Sequence, residues 1–187
     1  MNRYDKADIQ QIRRLSEAFY ASQDFAHDAS HAEYVVRCAR MIARTEESNA
    51  FLVEAGAWLH QFHDHLDKLN ALLDESTLPR NTQRELFHIV SVCRPRKIQH
   101  AETIEAKIVY DADALAVIGS YGLVRELLCN AVVRGIPWEE NVTKTQEVQK
   151  LFMDTLQTDT ARELAKSSNE ICGLFWEEYR RWDNFAA

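Results

Sequence analysis

Glycine and proline are scarce in this chain, five and three in 187 residues. Hairpin turns draw on both residue types, glycine for positive φ and proline for a preset φ. A sheet of many short linked strands therefore has too little turn material, and helices joined by polar links are expected. The four cysteines, Cys38, Cys93, Cys129 and Cys172, form no CxxC pair. That removes zinc-ribbon and dithiol redox signatures and suits a reducing compartment. No apolar run approaches the ~18 residues of a membrane span. The opening MNRYDKADIQQIRR is charged and lacks the apolar h-region of a secretory leader. Positive charge is also short, 22 Lys and Arg against 29 Asp and Glu, for a net charge of −7. Such a balance speaks against broad nucleic-acid or anionic-membrane binding. It still allows an anionic small substrate, which needs only a few local cations. A cytoplasmic location is the expectation.

What is present is helical periodicity. Hydrophobic residues make up 46% and charged residues 27%, ordinary for a folded chain of one domain. Ile9, Ile12, Leu15 and Phe19 recur at helical spacing. Ser30 with Glu33, Thr82 with Glu85 and Thr160 with Glu163 match the capping-box pattern, so helices are expected to open at Ser30, Thr82 and Thr160. A long apolar helix is expected from Tyr121 to Arg134, stopped by Gly135 and Pro137. An amphipathic one follows from Lys144 to Leu156. Residues 1–187 then read as one all-α domain of eight or nine helices, with no internal repeat and no linker.

Polar residues with coordination chemistry gather in three places. The densest is EAGAWLHQFHDHLD, Glu54 to Asp67, where an apolar helix runs into His60, His63, Asp64 and His65. Residues three or four apart share a helix face, which sets His60 beside His63 and Asp64. Imidazole with carboxylate suits a divalent metal, although a merely solvated helix end has the same composition. His31 stands near a helix start, with His27 and Asp28 in the approach to it. Asp111 and Asp113 close an apolar helix farther on.

The order and setting of these places resemble the HD superfamily of metal-dependent phosphohydrolases, in particular its small bacterial members with one domain. The matching segments are HDASH (His27 to His31), AWLHQFHD (Ala57 to Asp64) and KIVYDADALAVIG (Lys107 to Gly119). The family pattern there is HDxxH, LHD and K-I-x-x-DADRLDA-x-G. The resemblance covers about residues 20–135, and the helices of 144–185 match no motif. It implies an HD-type helical bundle with His31, His60 and Asp113 as metal ligands and His88 as a further histidine of the set. It also implies a divalent ion (Mn²⁺, Fe²⁺, Co²⁺, Ni²⁺ or Mg²⁺) and a small phosphorylated substrate, a nucleotide among the candidates. Nucleic-acid and membrane partners are not implied, and the oligomeric state stays open, a homodimer included.

Three departures matter. Gln61 stands where the family has the aspartate of its HD pair, Cys93 where a further histidine is expected, and Ala114 and Ala116 replace an arginine and an aspartate. Two readings follow. Either the site is rebuilt, with His63 or Asp64 replacing the missing carboxylate and Gln61 or His63 as auxiliary ligands, or it has decayed into a module that binds a nucleotide or a protein partner. On the first reading Asp64 orients or deprotonates the attacking water. Lys107, Arg94 and Lys97 are then the candidates to pair with phosphate.

Overall fold

Ten residues, Ala50–Leu59, carry a single charge, Glu54, and nearly all of them are buried. A helix apolar on every side is stable only when surrounded, and the computed structural model, which describes residues 6–183, places it at the centre. It is α3 in a series of nine among the described residues: α1 Lys6–Tyr20, α2 Ala29–Ile42, α3, α4 Leu66–Glu75, α5 Arg80–Ser91, α6 Ile104–Leu115, α7 Gly119–Leu128, α8 Trp138–Asp154 and α9 Asp159–Asp183. No strand occurs among the described residues. Helices α1, α2, α5 and α6 pack around α3, and α2 also packs on α6. Glu54 escapes burial by pairing with Arg40 of α2, 2.6 Å away.

Close packing dictates Gly56. A Cβ there would stand 2.8 Å from Cγ2 of Ile89 on α5 and 3.1 Å from Cγ2 of Val109 on α6. Both neighbours are β-branched and stiff, so only glycine lets the three helices approach this closely. The main core spans α1 to α6, with Ala161 and Ala165 of α9 joining it. A smaller cluster, Leu123, Val142, Cys172 and Trp176, holds α7, α8 and α9 together. Among the described residues no single helix is long and apolar enough to cross a membrane.

The helix starts differ from those expected. Helix α2 is capped by Asp28, whose carboxylate accepts from the N–H groups of Ser30 (2.9 Å) and His31 (3.3 Å). Glu33 reaches Arg13 of α1 at 2.8 Å rather than closing a capping box. Helix α5 begins at Arg80, directly after Pro79, and Thr82 is buried within its first turn. Helix α9 begins at Asp159, with the Thr158 hydroxyl accepting from the Ala161 N–H. At α2 and α9 the cap lies two residues upstream of the expected one, and α5 starts after Pro79 without a side-chain cap.

The expected helix over 121–134 also changes character. After Leu128 the chain widens into a π-turn, Cys129–Val133, before Gly135 (φ +65°) ends it. The wider turn lets Arg134 reach Glu126 (2.6 Å) and Asn130 (2.5 Å) together. Such insertions gather at functional sites, and this one borders the cavity described next.

Candidate metal centre

Three elements bring the central side chains together. The Asp28 cap fixes the first turn of α2 and with it His31. At His60 the α3 helix tightens into a 3₁₀ turn, His60–Asp64. The His60 Nδ1–H donates to the Ala57 carbonyl at 2.7 Å, so Nε2 is left as a bare lone pair. Asp113 comes from the last turn of α6. His60 Nε2 lies 3.2 Å from His31 Nε2 and 3.7 Å from Asp113 Oδ1, and His31 Nε2 is 3.3 Å from the same oxygen.

Both rings are buried, and Asp113 is nearly so. Burial lowers the pKa of His31 and takes that of His60 down to about 3, so both rings are neutral near pH 7. Burial alone would raise Asp113, but the hydrogen bond from His31 and the charges nearby hold it well below the usual carboxylate range. Two neutral imidazoles and one carboxylate thus crowd their acceptor atoms together with at most one proton to share. The donor set fits a divalent ion, which needs deprotonated ligands. With metal–ligand bonds of ~2.0–2.2 Å, adjacent ligand atoms stand roughly 3.0–3.5 Å apart, close to the separations seen here. The support behind the ligands is uneven, since His31 Nδ1 is buried without a hydrogen-bond partner.

Gln61 is part of this arrangement. Its amide nitrogen lies 3.1 Å from His60 Nε2, and turning the amide over would present the carbonyl oxygen at the same place. The side chain therefore reaches the group but brings no charge. His63 is close without joining the three: its Nδ1–H donates to the His60 carbonyl (2.8 Å), and its Nε2 is 3.4 Å from Asp64. Asp64 is half-exposed and ion-paired with Arg94. His88 lies apart, its Nε2 accepting from the Glu102 N–H at 3.2 Å. Cys93 is buried, and burial drives its thiol well above the ordinary range. Asp111, only two residues before Asp113, is buried elsewhere and caps the entry to α9.

The group opens on a cavity of about 550 Å³. Asp113, Gln61, His63 and Asp64 line it, as do Arg94, Arg125 and Arg134. Lys107 is not among its lining residues, and Lys97 is exposed on the loop after α5. Sequence reasoning passed over Arg125, Arg134 and the His27–Asp24 pair, in which Nδ1 lies 2.9 Å from both carboxylate oxygens. A signal for Arg125 was available: it is the only cation in the apolar run GLVRELL.

No family model matches the chain. The uncharacterized protein YpgQ of Bacillus subtilis is 27% identical over 178 residues, 87% of each chain. The crystal structure of that protein in complex with ADP matches at a TM-score of 0.76 and 23% identity, over 92% of this chain and 96% of that one. A Lactobacillus plantarum structure matches at 0.84 and 22% identity, over 97% and 99%. An HD-superfamily hydrolase from Bacillus thuringiensis matches at 0.76 and 21%, over 96% and 98%. The chain has the all-α fold of the HD-superfamily hydrolases.

Proposed function

We propose that the protein is a metal-dependent phosphohydrolase acting on a small phosphate ester, with nucleotides the first substrates to try. The observation that carries this reading is the convergence of two neutral imidazoles, His31 and His60, with the Asp113 carboxylate beside a cavity with arginines in its wall. His31, His60 and Asp113 would hold the ion, with the Gln61 carbonyl as an auxiliary. A divalent metal there supplies a water that ionises near neutrality and positive charge for a phosphoryl oxygen.

The chain's own groups supply the rest. The pairing of Asp64 with Arg94 fixes the carboxylate at the cavity wall, where it can orient a water and accept its proton. His63 stays neutral near pH 7, because burial lowers its pKa. Nucleotides come first because the YpgQ structure holds ADP in the same fold.

Metal analysis of the purified protein, followed by phosphate-ester assays with Mn²⁺, Fe²⁺, Co²⁺, Ni²⁺ and Mg²⁺, tests the proposal. Stoichiometric metal and turnover are expected, with both lost in His60→Ala. Asp64→Asn should keep the metal and slow turnover by ~10²–10⁴-fold. The neutral Gln61 favours a second reading, a nucleotide-binding module without turnover. A wild type that binds a nucleotide but neither metal nor substrate for hydrolysis would establish the module instead.

A further inference from the structure

Three arginines reach the cavity, and two are already neutralised: Arg94 by Asp64, Arg134 by Glu126. Arg125 differs. No carboxylate pairs with it among the described residues; its Nη1–H donates to the Ala26 carbonyl at 2.6 Å, and its Nε is buried with no partner at all. A guanidinium without an anion is costly to keep away from bulk water. Here it shares the cavity wall with Asp113, next to the three converging side chains.

A cation held beside a cation-binding site weakens that site unless an anion is to lie between the two. Such an anion would touch both Arg125 and whatever His31, His60 and Asp113 hold. We infer that Arg125 is the phosphate-binding residue, its guanidinium at the cavity wall donating to the non-bridging oxygens of the substrate's phosphoryl group. Guanidinium and phosphate match in planar, two-point geometry. Lys107, Lys97 and Arg94 then have no part in that contact, since the first two lie off the cavity lining and the third is spent on Asp64. The inference rests on the phosphohydrolase reading and names the recognition element it lacks.

Calorimetry on the Mn²⁺-loaded protein tests it, with ADP, inorganic phosphate and adenosine as probes. Arg125→Gln removes the charge; Arg125→Lys keeps the charge and loses the fork. The Gln variant should bind ADP and phosphate about 10–100-fold more weakly, as loss of a charge-assisted hydrogen bond implies, and the Lys variant should fall between. Adenosine binding should not move. Mn²⁺ affinity, measured without nucleotide, should stay level or tighten in Arg125→Gln, because a repelling charge has gone. Unchanged ADP affinity in Arg125→Gln overturns the inference and leaves the phosphohydrolase reading standing. An equal loss for adenosine overturns it as well, since Arg125 then only shapes the cavity. If Arg125→Gln also loses Mn²⁺, Arg125→Lys decides: ADP must weaken there with Mn²⁺ retained. A wild type that binds neither ADP nor phosphate overturns both inference and reading.

Discussion

Asp111 and Asp113 stand two residues apart on α6 and have opposite fates. Two residues turn a helix by roughly 200°, so one carboxylate faces the histidines while the other faces the link between α8 and α9. Asp111 accepts from the N–H of Gln157 (2.8 Å), the N–H of Thr158 (2.7 Å) and the Thr158 hydroxyl (2.7 Å). It is satisfied by the protein alone. Asp113 meets two neutral imidazoles and, beyond them, the cavity. A buried carboxylate with a full set of donors is structural; one that shares its space with other acceptors is suited to a cation.

The largest effect should come from Asp113→Asn. Even residues standing behind a metal ligand cost about 10–100-fold in affinity, so loss of this ligand should cost more than about 100-fold. Turnover should disappear with the metal, and the melting temperature of metal-free protein should hold near wild type. Titration calorimetry with Mn²⁺ alongside thermal melts would show it. Retained metal affinity would erase the distinction between the two aspartates.

Asp111→Ala should do the reverse. It strands three buried donors, at a cost on the order of 3 kcal/mol, read as a drop in urea midpoint with metal affinity near wild type. Titration sharpens the same contrast. Burial raises the Asp111 carboxyl from 3.8 to about 6, against the hydrogen bonds it accepts. Between those values the folded chain keeps a proton that the unfolded chain has released. The contribution of Asp111 is therefore complete below pH ~4 and lost as pH rises through about 6. His60 slopes the other way, because burial takes its pKa from 6.5 down to about 3 and the unfolded chain holds the extra proton. Asp111→Asn should leave the His60 slope unopposed. Metal-free urea midpoints should then rise more steeply from pH 4 to pH 6 in the variant than in wild type; parallel curves would refute this.

The smallest effect expected is from Gln61→Asp. A second anionic ligand beside Asp113 should tighten divalent-metal binding on the order of tenfold, because affinity follows ligand charge. Unchanged affinity would mean that the side chain at position 61 does not reach the ion.

Much of this was legible in the residues, though not the division of labour between the two aspartates. The all-helical fold followed from periodicity and the shortage of turn residues, and Gly135 ends its helix as expected. DADAL marked the right turn of α6. Periodicity alone could not say which aspartate faced inward, because both sit among apolar neighbours; the family resemblance pointed to Asp113. The 3₁₀ turn at His60 carried no glycine or proline to announce it, and it is that tightening which places Gln61 against His60 Nε2. The resemblance also grouped His88 with the ligands, where the structure gives it a backbone partner on the loop before α6. Arg125 was missed because its anchoring to the Ala26 carbonyl is made across 99 residues of chain.

That His31 and His60 lie 29 residues apart, with Asp113 farther still, has a consequence for folding kinetics. No short segment contains the ligand set, so an ion cannot nucleate this chain as it does a small zinc finger. Two long loops must close before the three side chains meet, and closure of distant contacts comes late and slowly. An ion would arrive after the rate-limiting step, leaving the refolding arm of a chevron unmoved and slowing the unfolding arm alone.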